Sequence, residues 1–499
     1  MQNKFLFYWS FALVFVFFTA NSDVQVFGDI EGSLDKILSA INMPGSIVAY
    51  SKDVAGRYRL DFVDANQEHR VVVIGDAIDK GPDNIKILMM FTDFKKRYPE
   101  RVFLILGNRD INKLRFNWEL ADGALDLRSD NPHKNSFDRF RVGDWEAKFK
   151  HWLAVGKNKI DGGVVRYYHG QDPAHIENDK ILKLKFLLQE TMGCPDTFDL
   201  FKKELSSNGA RINDKKVADF MIAMPKPGGV LADYLKHAQL AYLDKNTGSI
   251  YVHGGISQDS LFKVPAAKSG GRDLVKDKTV QDWIQELNKW GRKGIYQGIE
   301  GKAGHHQRAL SLIKNQEPEV QTVDVNGEKV TTWGNSDIPV ISNFISVVQG
   351  RPWGPDYNLA PVDEQVRCAL LRDGISTLVF GHSPIGEIPV IVKSRAGADE
   401  EFRSVATDTS LAKPFRNALV IVRENCVDVT ADFYTKDAVK RVKYSSRDPQ
   451  VGTQDKLGNW NISLDLQVKF HEPFKNAGFG VPIYSGALAT TAGPIKAKL

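Results

Sequence analysis

The chain has 499 residues, 42% of them hydrophobic, enough to bury a large core, and nothing in its composition fits a disordered, collagenous or coiled-coil protein. Lys and Arg number 66 against 61 Asp and Glu, and the resulting charge of +5 is small for this length, so nucleic acid is not expected as a partner. Three cysteines, Cys194, Cys368 and Cys426, with no CxxC among them, argue against a zinc finger and against a disulfide-rich framework.

Within residues 1–22, Lys4 precedes an almost wholly apolar run from Phe5 to Phe18, which is followed by Ala20-Asn21-Ser22. This is the make-up of a signal peptide, and it predicts a secreted protein, or one anchored through this segment if cleavage fails. The run is shorter than the roughly 20 apolar residues a membrane span needs, and no other contact with a membrane is expected. The sequon Asn461-Ile462-Ser463 fits export but is too short a pattern to support it.

Val24 to Phe27 reads as a buried strand that runs into Gly28-Asp29-Ile30-Glu31-Gly32. Ser33 to Ile41 follows as a helix with Leu34, Ile37, Leu38 and Ile41 on one face. The unit recurs. Val71 to Ile74 is a strand, Gly75 to Pro82 a loop carrying Asp76, Asp79, Lys80 and Gly81, and Asp83 to Tyr98 a helix. Val102 to Leu106 is a third strand, followed by Gly107-Asn108-Arg109-Asp110 and a helical stretch to Trp118. Alternating strands and helices predict an α/β fold, with the polar residues after each strand gathered along one edge of the sheet.

Residues 116–248 are mostly helical and charged and read as an inserted cap over the site. Strands are expected again at Ser249 to Val252, ahead of His253-Gly254-Gly255, and at Thr377 to Phe380, ahead of Gly381-His382. More are expected at Ser404 to Ala406, Ala418 to Val422 and Val427 to Phe433. Between the His253 and His382 segments, residues 262–367 form a second, polar insertion that a compact core does not need. The main domain is therefore expected over 23–435, and 436–499 is a C-terminal extension with one strand at Ile462 to Val468. His169 and His175 follow no pattern and read as solvated or structural histidines.

Strands ending in Gly beside Asp, Asn or His have a chemical rationale. Two divalent ions about 3.5–4 Å apart need a bridging carboxylate, further oxygen ligands and imidazoles, and an adjacent glycine lets the backbone turn sharply towards the ions. Asp76, on the central strand, is the natural bridge.

These five segments resemble, in order, the motifs of the calcineurin-like metallophosphoesterases: GDxHG, GDxxDRG, GNHE, HGG and a late His. The run His253-Gly254-Gly255-Ile256-Ser257 is most similar to the phosphoprotein phosphatase branch. The resemblance implies a central β-sandwich flanked by helices. It also implies a first metal on Asp29, Glu31 and Asp76, a second on Asp76, Asn108, His253 and His382, and attack on phosphorus by a hydroxide bridging the two. Asp79 would orient the residue after Asn108.

The sequence departs from the pattern at Glu31, where the family has a metal-binding His, at Lys80 in place of Arg, and at Arg109-Asp110 in place of His-Glu. A carboxylate at position 31 favours manganese or magnesium over zinc, so the two ions are expected to be manganese, with magnesium or iron as alternatives. Lys80 keeps a cation for phosphate, and Arg109 can clamp phosphate oxygens. Guanidinium cannot donate a proton at neutral pH, so Asp110 or water becomes the expected acid. The resulting expectation is a hydrolase of phosphomonoesters, of phosphoproteins or small molecules. A hydrolase of diadenosine polyphosphates and a degenerate metal- or phosphate-binding protein are the competing readings.

Overall fold

The computed structural model describes residues 22–120, 180–301, 347–350 and 359–470 apart from short breaks, together with strand pairs within 159–164 and 320–333 and a strand at 482–485. Val24–Phe27, Arg70–Val73 and Val102–Ile105 lie side by side in parallel, and Ala238–Gln239 extends the row beyond Val102–Ile105. All four residues of Val24–Phe27 are buried, which is why the strand is nearly continuous in apolar side chains. On its other side Ala418–Arg423, Cys426–Tyr434 and Val439–Ser445 follow antiparallel, completing a seven-stranded sheet.

A second sheet has five strands, in the order Val390–Ala396, Glu400–Ala406, Thr377–Phe380, Ser249–Val252 and Ala241–Asp244, with Thr377–Phe380 parallel to both neighbours. Val26, Val72 and Leu104 from the first sheet share one core with Ile250, Leu378 and Val405 from the second. Each such side chain contributes about 1.5–3 kcal/mol on leaving water. Helices Leu34–Ile41 and Asn84–Arg97 pack beside the first sheet, so the chain is an α/β protein of two mixed sheets flanked by helices. The parallel strands of both sheets end at the same place, and there the polar segments gather.

Several expectations need correction. The stretch 262–367 is not dispensable to the core: Val280–Glu300 is a helix, capped by Thr279 and Asp282, that buries Val280, Trp283, Leu287 and Ile295 in it. The main sheet does not stop at 435, because Val439–Ser445 forms its edge. Ile462 to Val468 is not one strand but parts of two paired strands, Trp460–Ser463 and Leu466–Phe470. Helix Asp110 to Trp118 is broken into Asn108–Asn112, a 3₁₀ turn Lys113–Arg115 and Phe116–Glu119. The hairpin of Val48–Lys52 with Tyr58–Phe62 was not expected, since its first strand is exposed after Val48 and lacks apolar alternation.

The expected secreted or membrane-anchored placement is also corrected. Among the described residues no helix is long and apolar enough to cross a membrane. The apolar run 5–18 lies outside the described residues, as do His169 and His175.

Candidate active site

Loops after three parallel strands of the first sheet meet loops after two strands of the second. The first two loops are bonded to each other, with Glu31 N donating to Asp76 O (2.7 Å) and Gly32 N to Ala77 O (2.8 Å). Gly381 N donates to His253 O (2.9 Å), and the His253 ring reaches across to the first sheet, where Nδ1 lies 2.9 Å from Ile74 O. Two of the glycines are fixed by close approach. A Cβ on Gly107 would stand 2.0 Å from Asp76 N, and one on Gly381 would stand 1.9 Å from Asp29 Oδ1. Among the described non-glycine residues, positive φ occurs at Glu31 (52°), Asp76 (47°), Asp79 (117°) and His382 (62°), besides Phe262 and Asn425. Backbone strain of this kind persists where surrounding structure enforces it, and here it concentrates at the polar loops.

Asp76, His253 and His382 each offer a ligand atom within 4.8 Å of the others'. His253 Nε2 is 3.2 Å from Asp76 Oδ1 and 3.1 Å from Asn108 Oδ1, and His382 Nδ1 is 2.9 Å from the same Asn108 oxygen. A carbonyl can only accept, so His253 Nδ1 carries its proton towards Ile74 O and Nε2 is turned to the site, the arrangement that orients metal-binding imidazoles. Burial alone would lower the His253 pKa, yet the Asp76 and Asp29 carboxylates push it up to about 10. The same negative field suits a cation in place of that proton. Burial would likewise raise Asp76, but His253 and Arg109 hold it below the usual carboxylate range. This set of two imidazoles, a carboxylate and an amide oxygen fits a divalent metal ion.

Asp29 and Glu31 lie beside this cluster but face other groups. Asp29 is buried and accepts from His382 N through both oxygens (3.3 and 3.0 Å). Burial and the Asp408 carboxylate push its pKa well above the usual value. Glu31 Oε1 is 2.7 Å from Lys80 Nζ and 3.2 Å from Arg109 Nε. The Arg109 guanidinium, 15% exposed, also lies 3.3 Å from Asp76 Oδ2 and 3.6 Å from Asp79 Oδ2. Burial would lower its pKa, and Glu31, Asp76 and Asp79 together raise it, so it stays charged.

Asp110 does not join the others. It is fully buried, and its oxygens accept from Ala77 N (2.9 Å) and Gly107 N (3.1 Å), which ties the second polar loop to the third. Burial and the nearby Asp76 charge push its pKa up to about 7.

Four residues that matter here were not singled out in the sequence. Lys113, buried on the turn after Arg109, pairs with Asp79 at 2.7 Å; its position one helical turn beyond Arg109 was the available signal. Asn84 receives Asp79 N (2.7 Å) and donates to Gly81 O (2.8 Å), closing the second loop. Asp408, buried after Glu400–Ala406, acts on Asp29, and a carboxylate just past the strand's apolar end at Val405 and Ala406 was its signal. Glu204, from Thr197–Leu205, accepts from Ile85 N and Lys86 N at 3.0 Å and so caps Asn84–Arg97, whose own N-cap Asp83 makes no such bond. No local pattern marks Glu204.

No family model matches the chain. Among curated proteins it is 25% identical over 160 residues to the serine/threonine-protein phosphatase PP2A-like PPG1 of Candida albicans, covering 32% of each chain. A second relative, from Caenorhabditis elegans and likewise carrying a serine/threonine-protein phosphatase name, is 29% identical over 87 residues, 17% of this chain and 23% of that one. The chain thus spans a third or less of these relatives' own lengths. Among solved structures, a cold-active protein-tyrosine phosphatase of a psychrophilic Shewanella species aligns with a TM-score of 0.38 and 13% identity, over 84% of this chain and 80% of that one. A protein serine/threonine phosphatase of Saccharomyces cerevisiae aligns with a TM-score of 0.32 and 10% identity, over 85% and 80%. Over the stretches that align, the chain is thus similar in sequence to proteins named as serine/threonine-protein phosphatases.

Proposed function

We propose that the chain is a metal-dependent phosphoesterase that hydrolyses phosphomonoesters, with proteins phosphorylated on Ser, Thr or Tyr as its substrate class. The observation that supports this most is the meeting of Asp76, His253 and His382, within 4.8 Å of one another at the ends of strands from two sheets, beside the cation Arg109. A divalent ion held there, for which we assign manganese, would supply an acidified water and polarise a phosphoryl oxygen.

The remaining work falls to the chain's own groups. Arg109 binds phosphate oxygens and offsets the charge that develops on them, and Lys80, at the exposed rim, adds a point charge. Both Asp110 oxygens are engaged with backbone N–H groups, so we assign Asp110 to positioning the Gly107–Arg109 turn, and protonation of the leaving oxygen to water. Helices between 180 and 237 serve as a cap that steadies the Asp79–Asn84 loop, since Thr197 Oγ1 donates to Asp79 O and Glu204 binds Ile85 N.

A panel of esters tests the reading: an aryl phosphate, phosphotyrosine and phosphoserine peptides, and diadenosine tetraphosphate, each with manganese-loaded protein. Phosphate release from the monoesters is expected. Cleavage of diadenosine tetraphosphate alone would move the assignment to nucleotide hydrolysis. Bound metal without turnover on any substrate would make the chain a binding protein.

A further inference from the structure

The motif resemblance implies two metal ions, and the residues present fit one of them better than the other. We propose that the Arg109 guanidinium, supported by Lys80, stands in the place of one ion, so that the centre is mononuclear, with one divalent ion on Asp76, His253, His382 and Asn108. This rests on the phosphoesterase reading and refines it.

The geometry of Asp76 is the first reason. A carboxylate that bridges through both oxygens needs each of them open to an ion. Here Oδ1 faces the imidazole of His253 at 3.2 Å, while Oδ2 faces Arg109 Nε at 3.3 Å. Glu31 is the second. Its Oε1 is 3.2 Å from the same Nε and 2.7 Å from Lys80 Nζ, so the carboxylate is already paired with two cations. Asp79, 3.6 Å from Nη1, makes a third carboxylate against the same guanidinium.

Charge balance agrees. Compared with a pair of neutral imidazoles, Glu31 adds one negative charge and Arg109 one positive, so the exchange leaves the net charge unchanged but sets a fixed cation against the Glu31 carboxylate. An ion between Glu31 and Asp76 Oδ2 would sit against a guanidinium that is mostly buried, where repulsion between like charges is poorly screened. Among the described residues Nε and Nη1 of Arg109 make no well-aligned hydrogen bond despite these close charges. Guanidinium held as a charge in this way, with donors uncommitted, suits a group that both replaces a cation and receives a phosphate oxygen.

The test is metal stoichiometry. The full chain is stripped with a chelator, reloaded with excess Mn²⁺, desalted, and measured by elemental analysis and electron paramagnetic resonance. One Mn²⁺ per chain with the resolved hyperfine pattern of an isolated ion is expected. Two per chain with an exchange-coupled signal would overturn the inference and leave the phosphoesterase reading standing, whereas no bound ion would overturn both. In the double variant Glu31→His/Arg109→His, a second ion and a coupled signal are expected. A variant with native circular dichroism that still holds one ion would show that these two residues are not what excludes the other. The wild-type measurement decides the matter even if that variant fails to fold.

Discussion

Glu31 Oε1 lies 3.2 Å from Arg109 Nε, so two positions at which this chain replaces an expected imidazole touch each other as an ion pair. Seventy-eight positions of sequence separate them, and contact follows from the bonds that join the first and second polar loops and from the Asp110 anchor behind the third. The departures therefore act as one unit. Because both side chains are largely buried, Arg109→Gln should destabilise by about 3–5 kcal/mol, the cost of leaving buried carboxylates without their cation. Glu31→Gln added to it should cost less than the sum of the two single changes. Denaturant unfolding of the four proteins in the cycle measures this; strict additivity would show that the pair is not coupled.

Leaving-group dependence follows from the same arginine. A guanidinium cannot give up a proton at neutral pH, and general acid help is typically worth 10²–10⁴-fold. Aryl phosphates and phosphotyrosine should therefore be cleaved far faster than alkyl phosphates such as phosphoserine. Rates across esters whose leaving groups span several pKa units should fall steeply in the wild type and more gently in Arg109→His. A flat wild-type series would mean that another group already supplies the proton.

Asp79 and Lys113 form a fully buried pair at 2.7 Å. Lys113→Met should cost about 3–5 kcal/mol, because Asp79 would remain as a buried carboxylate. Adding Asp79→Asn should restore part of that loss. Thermal unfolding of the single and double variants decides it, and a double variant less stable than Lys113→Met would contradict the pairing.

Stability should also depend on pH through Glu204, whose pKa burial raises from 4.5 to about 7 despite its bonds to Ile85 N and Lys86 N. The folded state then binds the proton more tightly than the unfolded state. Its contribution is complete below about pH 4.5 and is lost as pH rises through 7, on the order of 3 kcal/mol in all. Glu204→Gln, which keeps an accepting oxygen, should lack this decline. Denaturant midpoints of both proteins at pH 5 and pH 8 provide the comparison, and equal declines would exclude Glu204 as the source.

Much of the framework was legible because buried parallel strands are written in continuous apolar residues. Val24–Phe27, Arg70–Val73 and Thr377–Phe380 announce themselves, and a Gly with Asp or His at the end of each marks where the polar loops gather. What was hidden depends on partners distant in sequence. Val439–Ser445 is lysine-rich and half exposed, as suits a sheet edge, and only pairing with Cys426–Tyr434 makes it a strand of the main sheet. The sequence placed Asp110 beside the candidate ligands, but whether its carboxyl points to the site or to Ala77 N depends on the φ and ψ of a turn. Nor could any local pattern show that Glu204 caps a helix more than 100 residues earlier.

In the function proposed, hydrolysis depends on a metal ion held by Asp76, His253 and His382. The most direct measurement is phosphate release from an aryl phosphate by chelator-stripped protein, before and after Mn²⁺ is returned, in the wild type and in Asp76→Asn, with bound metal measured in the same samples. Stripped wild type should lose nearly all turnover and regain it with metal, and Asp76→Asn, whose neutral amide cannot replace the carboxylate, should lose metal and activity together. Turnover that survives stripping, or an Asp76→Asn variant as active as the wild type, would contradict this dependence on metal.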